Sequence, residues 1–248
     1  MNNICPKCKS ENQIKQGFTI AKSQRYFCKD CGNKYTPQKK HYSEEDRTLA
    51  IKTYYSGTSG YGVGKIFGMS HQNVFRWIKK TESVWISPKT KFDAFELDEI
   101  FWFIKQRRSH ENGVNTYVMT MISREPRQIV GFAVDNSKSA DIIQKIVDSV
   151  PPAKRYYTDG YYGYSGVDFC GQLKQNWLNK NDTHLIESTN ADLRHYISGL
   201  HRRSRIFYRT LETFRAVLSV FIDAYNKFGE YKMKYKKRTI SRSVLDFL

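Results

Sequence analysis

The chain has 248 residues, of which 40% are hydrophobic and 26% charged, which is enough for one large folded domain and one or two small ones and unlike a disordered segment. No stretch approaches the roughly 18 unbroken apolar residues of a membrane span, and the start MNNICPKCKS carries no apolar run behind a basic one. The expectation is a soluble, cytoplasmic protein with no membrane partner. Lys and Arg number 41 against 24 Asp and Glu, a net charge of +17. That field attracts polyanions, nucleic acid first among them. Residues 194–248 hold 13 of the basic residues against 4 acids.

Cys5-Pro-Lys-Cys8 and Cys28-Lys-Asp-Cys31-Gly32 open the chain. Two C-x₂-C pairs place each pair on a tight turn and let four thiolates close a tetrahedral zinc site. Four thiolates leave no position for water, so the zinc is structural. Gln24 to Phe27 alternates like a strand, and Gly32 suits the positive φ of the second turn, which predicts a zinc ribbon over 1–40.

Residues 41–85 predict three short helices as a helix-turn-helix domain. Ser43 heads a capping-box-like start, with Leu49, Ile51 and Tyr54 inward. Tyr61 to Phe67 forms a middle helix weakened by Gly62 and Gly64. After a Gly68-Met69-Ser70 turn, Ser70 caps a helix that buries Val74, Trp77 and Ile78. His71, Gln72, Asn73, Arg76 and Lys80 then fall on its free side, as candidates to contact base edges and phosphates of double-stranded DNA. Ile86 to Lys91 reads as a linker.

From 92 the period changes to strands: Phe92–Ile104, Val114–Ser123 and Arg127–Val134, parted by turn-like segments at Ser109–Gly113 and Arg124–Pro126. A helix at Ser139–Val150 and a strand at Arg155–Thr158 follow, then helices at Leu185–Ser198 and along the stripe Leu211, Phe214, Val217, Leu218, Phe221, Ile222 and Tyr225. A meander followed by a crossover predicts a mixed α/β domain over 92–230. A basic tail would occupy 231–248. The chain is thus expected to be multidomain: zinc ribbon, helix-turn-helix, α/β domain.

Three acids stand at structural positions. Strand alternation puts Glu96 and Asp98 on one face of the first strand and Leu97 and Glu99 on the other, and an acid within an apolar strand is costly unless paired or metal-bound. Asp159 ends the strand after the crossover, where α/β sheets place ligands, and Gly160 lets the chain turn away. Glu187 opens a helix. Cutting phosphodiesters with two magnesium ions needs such converging carboxylates. Glu96, Glu99 and Asp192 are the alternative ligands.

The order of these motifs resembles the transposases of the insertion sequence 1 family: a cysteine ribbon, a helix-turn-helix, then Glu-Leu-Asp98-Glu-Ile, Tyr-Thr-Asp159-Gly-Tyr, Ile-Glu187-Ser-Thr-Asn190-Ala-Asp-Leu-Arg194, and Gly199-Leu-His-Arg-Arg-Ser204-Arg-Ile-Phe207. The similarity spans nearly the whole chain. It implies a ribonuclease H-like catalytic domain and an Asp-Asp-Glu site of Asp98, Asp159 and Glu187. Two Mg²⁺ ions, replaceable by Mn²⁺, would serve cleavage of the element's inverted-repeat ends and joining of their 3′ ends to target DNA. It further implies a prokaryotic, nucleoid-associated protein acting as a homodimer or larger assembly. In the type member the two functional parts lie in separate reading frames, whereas one continuous chain holds both here. Asn190, Arg194, Arg202, Arg203 and Arg205 are candidates to hold DNA phosphates near the cut. The rival expectations are a zinc and helix-turn-helix regulator or inactive domesticated transposase, and a nuclease that cuts without joining.

Overall fold

The computed structural model describes residues 4–20, 22–36, 41–83, 91–105, 113–176, 182–202, 204–235 and 242–248. Arg203, the linker at 86–90, the turn at 109–112 and residues 236–241 of the basic tail lie outside them. Two compact units emerge, residues 1–43 and 44–248.

In the first unit, β1 (Gln13–Phe18), β2 (Gln24–Cys28) and β3 (Lys34–Tyr35) form an antiparallel sheet in that order. Each cysteine pair sits on a turn, as its spacing predicts: Lys9 N–H donates to the Cys5 carbonyl and Gly32 N–H to that of Cys28. Gly32 has the expected positive φ, +69°.

The second unit begins with α1 (Glu44–Tyr55), α2 (Gly60–Ile66) and α3 (His71–Lys80). Ser70 caps α3 as expected, accepting from Gln72 N–H. The weak middle helix has a steric reason. A Cβ on Gly60 would meet the Phe75 ring at 2.8 Å, and one on Gly64 the Met69 carbonyl oxygen at 2.8 Å, so both glycines let α2 and α3 close on each other. Two inward assignments change: Leu49 is exposed, while Ala50, Ile51, Tyr54 and Tyr55 are buried, and Trp77 is half-buried, while Phe75 packs edge-on to Tyr54 and Tyr208.

The sheet has five strands: β4 (Phe92–Ile104), β5 (Val114–Ser123), β6 (Gln128–Asp135), β7 (Ala153–Asp159) and β8 (Gln172–Asn176), in the order β6-β5-β4-β7-β8. β4, β5 and β6 are antiparallel neighbours; β7 and β8 run parallel to β4. The connection from β6 to β7 is α4 (Ala140–Val147), the crossover that a parallel neighbour requires. Two further helices follow, α5 (His184–Tyr196) and α6 (Leu211–Lys234).

Strand alternation separates two cores. Phe95, Leu97, Met119 and Met121 pack with Ile143, Ile146 and Val147 of α4. Ile100, Trp102, Val118 and Ile129 pack with Leu193 of α5, with the α6 stripe, and with Tyr54, Tyr55, Val74 and Ile78 of the first three helices. The helices expected as a domain over 41–85 therefore share one core with the sheet. The segment assigned to the tail holds the end of α6 and a short 3₁₀ turn, Val244–Phe247, whose Phe247 ring meets Phe228 and Tyr231. Among the described residues, no helix is long and apolar enough to cross a membrane.

Candidate metal centre and active site

In the first unit the sulfurs of Cys5, Cys8, Cys28 and Cys31 all lie within 4.8 Å of one another. Cys5 and Cys31 are 3.6 Å apart, Cys8 and Cys28 3.5 Å. Disulfides need ~2.05 Å, whereas a tetrahedral site with Zn–S of ~2.3 Å sets the sulfurs ~3.8 Å apart. The tetrad therefore fits a zinc ion. The two turns supply one sulfur each to every close contact, so an ion here would tie the turns together.

In the second unit the register of β4 with β7 pairs Phe95 with Tyr156 and Glu96 with Tyr157. Continued two residues further, it brings Asp98 level with Asp159 on the same face of adjacent strands, whose spacing is ~4.8 Å. Burial pushes the Asp98 carboxyl up to about 6, and the negative charges of Glu99 and Asp159 add to the shift against the Asn190 hydrogen bond. Asp159 also shapes its own turn. Its Oδ1 accepts from Tyr161 N–H at 3.0 Å, and Gly160 is not among the residues with positive φ. The turn thus rests on the carboxylate rather than on glycine.

Helix α5 crosses this face. Asn190 donates its amide N–H to Asp98 Oδ2 at 2.8 Å and accepts from Thr120 Oγ1 at 3.3 Å. With 2% exposure, Asn190 is a partner of Asp98 rather than a surface contact for DNA phosphate. Glu187 lies one turn before Asn190 on the same side of α5, and Arg194 one turn after it. Burial lowers the pKa of Arg194, as does the nearby charge of Arg202, while Asp98 opposes the shift. Arg194 thus feels both the Arg202 charge and the Asp98 carboxylate. Arg205 is exposed. Among the described residues, the cysteine tetrad is the cluster of three or more His, Cys, Asp or Glu side chains grouped closely enough to hold a metal ion, and Asp98, Asp159 and Glu187 are not so grouped.

The alternative acids have structural partners. Glu96, fully buried, receives Arg124 Nε at 2.8 Å and Ile186 N–H at 2.9 Å. Arg124 also donates to the Asp182 carbonyl at 2.6 Å and lies 3.8 Å over the Tyr157 ring. Glu99 is on the opposite face with Lys138 and the Tyr164 hydroxyl, and Asp192 accepts from Tyr225. Tyr164 is held well above its ordinary value by burial and by the charges of Glu99, Asp98 and Asp159. The Glu96–Arg124 pair was missed in the sequence; its one signal is an acid two residues before Asp98 on the same strand face.

On α3, His71, Gln72, Arg76 and Lys80 are exposed and Asn73 is half-buried. The expected free side is therefore largely open.

The chain is similar to solved complexes of the Mos1 transposase. It shares 9% identity with the chain in the strand transfer complex, covering 80% of this chain and 78% of that one, with a TM-score of 0.34. For the paired-end complex with the left transposon end the values are 10%, 82%, 81% and 0.35, and for the pre-cleavage transpososome 9%, 80%, 79% and 0.33. No protein-family model matches the chain, and no curated protein matches it.

Proposed function

We propose that this chain is a DNA transposase of the insertion sequence 1 type, with a ribonuclease H-like catalytic domain. In this reading it cleaves the inverted-repeat ends of its element and joins their 3′ ends to target DNA, using Asp98, Asp159 and Glu187. The observation that carries the reading is the level placement of Asp98 and Asp159 on adjacent parallel strands, with α5 bonded to Asp98 through Asn190.

The donor set suits magnesium. Carboxylate oxygens are hard ligands, and burial, with the charges of Glu99 and Asp159, raises the cost of the Asp98 charge in a way that a cation would relieve. Three carboxylates are the kind of donor set that holds the two ions of phosphodiester chemistry. When bound, they would activate the nucleophile and stabilise the leaving 3′-oxygen. The chain's own residues do the positioning: Asp98 and Asp159 hold one side of the site, Glu187 the other, and Asn190 fixes the Asp98 rotamer. Arg194 and Arg202 hold the phosphate next to the cut, as a pair of cations beside a carboxylate would.

The rest of the reading follows from sequence and unit layout: a zinc-stabilised ribbon, α3 contacting element-end DNA, and at least a dimer on DNA because two ends are processed together. The test incubates purified protein and Mg²⁺ with labelled element ends and a plasmid. Joined product is expected, and none with Asp98→Ala or Asp159→Asn. Strand transfer retained by either variant overturns the assignment; cutting without joining indicates a nuclease, and binding alone a regulator.

A further inference from the structure

Between α3 and the segment leading into α6 lies a groove of about 460 Å³, a volume within the range of small-ligand sites. Its floor is aromatic. Phe75 and Phe207 are half-buried in it, and Tyr208, 3% exposed, is held from behind by a stacked Phe214 at 4.5 Å and by the Tyr54 hydroxyl. The rim is basic, with Arg76 and Arg209 exposed on opposite walls and Gln72 beside Arg76. Lys79 is paired with Glu212 at 2.8 Å, so among the described residues the unpaired charge of the rim belongs to the two arginines.

We propose that this groove binds an unpaired stretch of a DNA strand, bases on the aromatic floor and phosphates on Arg76 and Arg209. The proposal rests on the reading of the chain as a DNA-processing enzyme and names a substrate form for it. The chemistry separates strand from duplex. In a duplex the base faces are stacked against each other and only edges and backbone meet a protein, so a ring-lined floor has nothing to receive. An unpaired strand presents both a π-face and phosphates, which aromatic side chains and arginines bind without regard to sequence. The groove is also tied to the candidate active site. Lys105, just past the end of β4, donates its N–H to the Tyr208 carbonyl at 2.7 Å. Lys105 lies seven steps along the chain beyond Asp98, roughly 23 Å at ~3.3 Å per residue. A single strand leaving the cut can span that with a handful of nucleotides.

The test is fluorescence anisotropy of labelled oligo(dT), and of a duplex of the same length, with magnesium withheld. Oligo(dT) binding should weaken about tenfold with Phe207→Ala, the stacking contribution of one base, and more with Arg76→Ala/Arg209→Ala, while the duplex is indifferent to Phe207→Ala. As a second readout that needs no variant, 5-iodouracil in the oligonucleotide should crosslink to the 206–209 segment. Oligo(dT) binding unchanged by Phe207→Ala, equal crosslinking of a duplex at the groove, or no crosslink there each overturns the proposal. No bond is cut in this measurement, so an Asp98→Ala protein should bind as the native chain does, and a failed groove is read apart from a failed catalytic assignment.

Discussion

Asn190 on α5 holds Asp98 on β4 through one 2.8 Å hydrogen bond while Thr120 of the neighbouring strand donates to the same amide. Asn190 can serve both because its oxygen accepts and its nitrogen donates. Asn190→Ala removes both bonds and leaves the Asp98 carboxylate free to change rotamer. Loss of such an orienting partner reduces metal affinity by roughly 10- to 100-fold. The measurement is a Mg²⁺ titration followed by thermal unfolding, and a curve that overlays the native one would remove the orienting role.

The Asp98 carboxyl in metal-free protein gives a pH-dependent prediction. Its folded-state value, about 6, lies above its ordinary 3.8. A raised acid costs nothing below the unfolded value, and the cost grows with pH until it saturates above the folded value. At ~1.4 kcal/mol per unit the saturated cost is on the order of 2–3 kcal/mol. Asp98→Asn, which keeps a group able to bond Asn190, should therefore stabilise the metal-free chain at pH 8 and not at pH 4. Urea unfolding at both values checks it; a difference that does not grow between them contradicts the shift.

Glu96 is buried and bound from two sides, by Arg124 and by the first turn of α5, so it fixes where Glu187 sits relative to Asp98. Arg124→Ala leaves that carboxylate buried without its guanidinium, at a cost of about 3–5 kcal/mol. Glu96→Gln should cost less, since an amide oxygen can still accept from Ile186 N–H. The double variant should be less unstable than the two losses added, because the stranded charge is gone. A double-mutant cycle in urea measures this, and strict additivity would mean that the pair is not coupled.

Much of this was legible in the chain because the deciding signals are local. The cysteine spacing gave the tetrad, Ser70 gave the start of α3, and β4 and β5 carry the expected bounds because turn-like residues flank alternating runs. β8 was missed: Gln-Leu-Lys-Gln-Asn is a mostly polar edge strand recognisable only from its pairing with β7. Asn190 was assigned to phosphate because a polar residue beside a catalytic motif looks the same whether it faces water or a carboxylate. The shared core of α1, α3 and α6 was hidden for a similar reason. An apolar stripe shows that a helix is covered, not by what, and residues such as Tyr55 and Val217 lie far apart in sequence.

That shared core changes what truncation should do. A helix-turn-helix domain of its own over 41–85 would let recognition and chemistry be separated by a cut in the linker, whose residues 86–90 lie outside the described ones. Yet Tyr55 donates its hydroxyl to the Val217 carbonyl at 2.7 Å, Tyr54 meets Tyr208, and Val74 and Ile78 are fully buried in the cluster that holds Phe214, Val217 and Phe221 of α6. Removing α1–α3 uncovers that side of α6. Each large side chain so exposed forfeits about 1.5–3 kcal/mol, and the loss of several is comparable with the 5–15 kcal/mol that holds a typical domain together. A fragment of residues 84–248 should therefore aggregate or bind a hydrophobic dye without a cooperative melt, whereas residues 44–248, which keep the compact second unit whole, should melt in one transition. Thermal unfolding of the two fragments decides it. A cooperative melt from 84–248 would show that the three helices are a detachable reader after all.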